Sequence, residues 1–271
     1  MNQRKSLKEL NLLDKFLFDE AMDDPENVKT MLDIILSQNT NLKHPPQTEK
    51  EQRTSTDNRQ IRLDVYAIDE DDVIYEVVAQ KENTHNLPKR SRLYQGIIDS
   101  KLLPPGVVDF NLLNEVLIVL IMPFDLFGYG LYRYTFQMKC EEVPELKLDD
   151  GATRIFLNTR GKHPELVSPE LIELLKYMEH STDEISEACE SKRIQEMHRR
   201  VCQIKASEKA EVKYMQTWEE KILIKQEGER IGLERINRLN QKLIEQGRFD
   251  DLTKATSDSS YQEKLLKEFK I

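Results

Sequence analysis

The stretch IRLDVYAIDEDDVIYEVVAQ, residues 61–80, decides the fold. Ile61, Leu63, Val65 and Ala67 alternate with Arg62, Asp64, Tyr66 and Ile68, the period-two pattern of a strand with one apolar face. DEDD at 69–72 is turn chemistry, and VIYEVVAQ at 73–80 is a second strand. The whole reads as a hairpin.

Working outward, RSRLYQGIIDSKLL at 90–103 follows Pro88 and predicts a helix stopped by Pro104-Pro105-Gly106. EVLIVLIM at 115–122 is almost free of polar residues, the composition of a strand buried on both faces. The runs 131–140 and 152–160 predict two more strands, with 115–122 as the central one. Strands interleaved with helices predict an α/β domain. On the N-terminal side, apolar residues at 7–22 and again from Val28 to Leu36 predict two helices. Asp23-Asp24 suit an N-cap between them and Pro25 a first helical turn. Residues 37–59 are polar, broken by Pro45-Pro46, and predict a loop with at most a short, poor strand.

After Pro169 the texture changes. LIELLKYM at 171–178 is helical, and 182–246 consists mostly of strong helix formers. Val212, Met215, Trp218 and Ile222, then Ile236, Leu239 and Leu243, make a thin apolar stripe. It is interrupted around Gly228 and Gly232, so the segment reads as a long surface helix or an imperfect coiled coil. A short final helix would carry Tyr261, Leu265, Leu266 and Phe269. The division expected is a core at 1–168 and a helical region at 169–271. A stripe this thin does not stabilise an isolated helix, so self-association is expected to supply the rest.

Composition narrows the function classes. The 271 residues carry 40 Lys plus Arg against 49 Asp plus Glu, a formal charge of −9. That argues against coating nucleic acid by net charge but not against a local basic site. The longest apolar run, Val116 to Met122, is far short of the ~20 residues of a spanning helix, so no membrane partner is expected. The start, MNQRKSLKELNLLDK, lacks a secretory pattern. Three cysteines, Cys140, Cys189 and Cys202, form no CxxC pair and read as reduced thiols of a cytoplasmic protein. The five histidines show no spacing that suggests metal ligation.

The chemistry concentrates in the hairpin. Asp64 on one strand, with Glu76 and Gln80 on the next, offers oxygen ligands for a hard cation. Such an ion activates water and neutralises charge at a phosphodiester. The plainer reading is a pair of solvent-facing acids on a half-exposed hairpin.

The phrases RLDVYAIDEDDVIYEVVAQ, NTHNLPKRSRLYQGIID, MPFDLFGYGLYRYTF, CEEVPELKLDDGATRIFLNTRG and SYQEKLLKEF together resemble the Rpn-type recombination-promoting nuclease/transposase family of the PD-(D/E)XK superfamily. The resemblance spans nearly the whole chain, from NLLDKFLFDEAM at 11–22 onward. It implies a restriction-endonuclease-like core, a central mixed sheet flanked by helices, that cleaves DNA with Mg²⁺, or Mn²⁺ in its place. The family's strand aspartate matches Asp64, its helix-borne acidic position Asp14, and its strand glutamine Gln80. The family's glutamate position is Val78, which cannot ligate a metal. Glu76 lies two residues away on the same strand face, ~6.6 Å along the strand, and is the acid that would replace it beside Asp64. The basic residues Lys81, Lys89, Arg90 and Arg92 are candidate contacts to DNA phosphates. Two functions therefore stand: a metal-dependent DNA endonuclease, or a non-catalytic, DNA-binding or self-associating descendant. A third, a helical scaffold acting through 182–246, describes only the C-terminal arm.

Overall fold

The structure, a computed structural model, describes residues 4–52 and 61–271; the end of the polar 37–59 stretch lies outside them. Residues 1–210 form one compact unit and 211–271 a second.

The first unit opens with a 3-10 turn at Leu7–Glu9, then α1 (Lys15–Met22) and α2 (Pro25–Leu36). The single helix expected over 7–22 is thus a turn and a shorter helix, divided before Asp14, the residue that precedes α1. The start of α2 is as its sequence suggests: Pro25 occupies the first turn and Asp24 Oδ1 accepts from the Glu26 N–H at 2.9 Å. The strands follow as β1 (Gln47–Gln52), β2 (Ile61–Ile68) and β3 (Ile74–Ala79). After them come α3 (Leu87–Asp99), β4 (Val116–Met122), β5 (Arg133–Phe136) and β6 (Ala152–Asn158). The chain then runs through α4 (Pro169–Glu179), α5 (Asp183–Ala188), α6 (Lys192–Lys205), α7 (Glu208–Glu245), α8 (Phe249–Ser257) and α9 (Ser259–Glu268).

The six strands form one mixed sheet in the order β1-β2-β3-β4-β6-β5. β2 pairs antiparallel with β1 and β3, β4 runs parallel to β3 and β6, and β5 closes the far edge antiparallel to β6. β4 is interior and buried along nearly its whole length, as its freedom from polar residues requires. β1, expected as at most a poor strand, is a six-residue edge strand of polar residues, a composition that suits an edge. Only four residues of the 131–140 run pair as a strand. Between β4 and β5, Asp125 folds the PFDLFGYG loop over itself. Its carboxylate accepts from the N–H groups of Phe127, Gly128 and Gly130 and from the Tyr134 hydroxyl. Gly128 and Gly130 take the positive φ this wrap needs.

The sheet is covered on both faces. On one, Val78, Ile118, Leu120 and Phe156 pack with Leu87, Ile97 and Ile98 of α3, which makes the β3-to-β4 crossover. On the other lie α1 and α2, where the Arg133 guanidinium donates to the Ile35 carbonyl of α2. α4 and α6 pack on α2, and α6 also on α1. The first compact unit therefore runs past the expected 168/169 division to residue 210 and takes in α4, α5 and α6. In the second unit, the end of α7 packs Leu239 and Leu243 against Ala255 of α8 and Leu265 and Leu266 of α9. Gly247, at φ 68, turns the chain between α7 and α8.

Candidate functional site

The hairpin turn is built by Asp69. Its Oδ1 accepts from the N–H groups of Asp71 and Val73, and its Oδ2 from the Tyr75 hydroxyl at 2.6 Å. This sets the register Val65↔Val77 through Ile68↔Ile74. One residue beyond the last pair, the Asp64 N–H is taken by a side chain: it donates to Glu76 Oε1 at 3.0 Å.

The alternation of β2 breaks at that point. Leu63 and Tyr66 both join the α3-side core, although strict alternation would separate them. Opposite, Glu49 of β1 takes a positive φ of 51°, and Lys50 Nζ sits 3.5 Å from the centre of the Tyr66 ring. On the face away from Leu63, Asp64 meets α1, where its Oδ1 accepts from Lys15 Nζ at 2.7 Å. The same ammonium lies 3.1 Å from Asp19 Oδ2, one turn further along α1. Two carboxylates thus share one cation.

Electrostatics follow from this sharing. Burial opposes the Lys15 charge, but Asp64 and Asp19 outweigh it and hold the ammonium above its ordinary range. Asp19 is the weaker partner: burial, opposed by Lys15 and reinforced by Asp64, pushes its carboxyl up to about 7. Glu76 is fully buried. Burial first, and the Asp64 charge second, raise its carboxyl well above the ordinary range. Its Oε2 is buried without a hydrogen-bond partner.

The other expected site residues lie at the same end of the sheet but point elsewhere. Asp14 immediately precedes α1, accepts from the Asn11 N–H at 3.1 Å, and forms an ion pair with Lys81 just beyond β3. Gln80 accepts from the Arg90 guanidinium of α3 at 2.6 Å, and Arg90 also donates to the Tyr94 hydroxyl. Asp64 and Gln80 therefore engage helices that cover opposite faces of the sheet. Val78 is buried among the α3-side core residues. Lys89 and Arg92 are exposed on the first turns of α3.

Two groups escaped the sequence reading, Lys15 and Asp19. Their i, i+4 spacing beside Asp14 was the available signal, but only the packing of α1 over β2 shows that they face Asp64.

The Mg²⁺ that the family resemblance implies is a poor match to these residues. Mg²⁺ demands octahedral oxygen ligands and keeps several of its waters. Here Glu76 is sealed from solvent with burial pushing its carboxyl up, position 78 is a core valine, and Asp64 already holds an ammonium. The site is neutralised from within.

No family model, curated protein or solved structure matches this chain.

Proposed function

We propose that this chain binds duplex DNA on a restriction-endonuclease-like core without metal-dependent cleavage. Two things support that core: the sequence resemblance, and a mixed sheet whose β2–β3 hairpin leads through α3 into the parallel strand β4. The observation that carries the loss of cleavage is the Lys15 ammonium at 2.7 Å from Asp64, beside a buried Val78. Together they replace a cation and one of its ligands. DNA binding rests on the basic start of α3, where exposed Lys89 and Arg92 flank Arg90. Cations there meet phosphates without reading sequence. We further propose self-association along α7, where Leu223 and Ile224 are 64 % and 73 % exposed.

The test pairs two assays. Supercoiled plasmid is incubated with the protein in Mg²⁺ or Mn²⁺, with and without chelator, beside Asp64→Asn. No metal-dependent nicking is expected from either protein; nicking that Asp64→Asn abolishes would overturn the reading and restore an active nuclease. Fluorescence anisotropy on a labelled duplex then measures binding against salt. Replacing Lys89 and Arg92 together by Ala should weaken binding to all sequences alike and reduce the salt slope by roughly 2. An unchanged slope would place the DNA surface elsewhere.

A further inference from the structure

Away from the sheet, α5 and α6 bring three ligand-type side chains to one point. Asp183 opens α5, and His198 and Cys202 lie one turn apart on the same face of α6. His198 Nε2 is 2.8 Å from Asp183 Oδ1 and 3.3 Å from Cys202 Sγ, and that sulfur is 3.8 Å from the same carboxylate oxygen. Bonds of about 2.0–2.3 Å in a tetrahedral zinc site put N, O and S ligand atoms about 3.4–3.6 Å apart. Each edge of the observed triangle needs an adjustment of only ~0.6 Å or less to match.

The second ring nitrogen is held as a metal-ligating histidine requires. His198 Nδ1 lies 3.0 Å from the hydroxyl of the fully buried Tyr177, and the two rings meet edge to face. Tyr177 thereby aims Nε2 at the carboxylate and the sulfur. The Asp183 side chain is 81 % exposed, so the open side of the triangle faces water. A mixed nitrogen, sulfur and oxygen set suits a borderline cation and discriminates against Mg²⁺. Lys205, which donates to the Ser181 carbonyl, is the nearby cation that tempers the attraction.

We propose that Asp183, His198 and Cys202 bind one Zn²⁺, with water in the fourth position, and that the ion clamps α5 to α6. On binding, the Cys202 thiol gives its proton to solvent as the zinc–sulfur bond forms. The Nδ1 proton of His198 stays in place and is donated to the Tyr177 oxygen.

The experiment titrates the full chain, stripped of metal with chelator, with Zn²⁺ against a chromophoric competitor, and with Co²⁺ as a spectroscopic probe. One equivalent should bind, and Co²⁺ should show a thiolate charge-transfer band with tetrahedral ligand-field bands. Cys202→Ser should abolish the charge-transfer band and weaken Zn²⁺ at least ~10-fold. Asp183→Asn, at an exposed side chain, should also weaken it. Tyr177→Phe should keep the band and lose about 10- to 100-fold in affinity. Far-ultraviolet circular dichroism of each metal-free variant separates lost ligation from lost folding. No saturable one-to-one binding, or binding that survives Cys202→Ser and Asp183→Asn unchanged, would overturn the site.

Discussion

Asp19 and Glu76 are carboxyls that folding withdraws from water, and both hold protons more tightly than free side chains do. The sign of the consequence is fixed by linkage. Between about 4 and about 7 the unfolded chain has released the Asp19 proton and the native state has kept it. Native protein then binds more protons, so stability falls as pH rises through that window. Asp19→Asn removes the titration. The stability of wild type relative to this variant, measured by urea unfolding at a series of pH values, should decline from about pH 4 to about pH 7. A difference that stays flat across the window would show that Lys15 keeps Asp19 ionised. Position 78 makes the second prediction at this scale. Restoring the family's acid there means placing a carboxyl in the buried cluster of Leu87, Ile97 and Leu120 on the α3 side. Val78→Glu should therefore destabilise the fold by about 3 kcal/mol, the scale of an uncompensated buried charge, and should not create a nuclease. Chemical denaturation with the plasmid assay alongside checks both halves.

Elements show where local signals sufficed. The α2 cap, the Asp69 turn and the uninterrupted apolar run of β4 are each decided within a few residues, and each was readable in the sequence. The long helical stretch was readable in kind but not in its divisions. Ser191 caps α6 by accepting from the Ile194 N–H, and Ala206 and Ser207 separate α6 from α7. The loop after β4 depends on one carboxylate, so Asp125→Ala leaves three backbone N–H groups and a tyrosine hydroxyl without their acceptor. A loss of about 2 kcal/mol is expected, in line with hydrogen bonds to a charged group, measurable as a shift in the denaturation midpoint. In the second unit, Leu265→Ala should remove about 3 kcal/mol from the packing of α7 with α8 and α9. Hydrogen exchange should then rise in 236–271 and remain unchanged in the sheet. Faster exchange in β4 as well would mean that the two units unfold together.

For the whole molecule, the stripe along α7 divides in two. Ile236, Leu239 and Leu243 pack with α8 and α9, whereas Val212 and Met215 are 48 % and 41 % exposed. Under the proposed self-association, the first half is the part that would meet a second copy. Sedimentation at micromolar concentration should give a mass above that of one chain, and Leu223→Glu with Ile224→Glu should return it to one. A monomeric wild type would refute self-association along this helix. Among the described residues no helix is long and apolar enough to cross a membrane.

The sequence by itself determined the α/β class, the hairpin and its turn, the interior place of β4 and the helical C-terminal region. Each follows from hydrophobic period or turn chemistry within a short window. Only the tertiary structure decided what the acids do. The alternation of β2 placed Asp64 on the face away from Leu63, but only the packing of α1 put Lys15 opposite it. The same holds for His198 and Cys202. Their i, i+4 spacing stands in the sequence, yet it marks no site there, because a pair on one helix has no third ligand until α5 folds Asp183 onto it. Periodicity records which side of an element is apolar. It does not record which charge from another element will lie opposite, and that contact sets a carboxyl's protonation and its capacity to hold a metal.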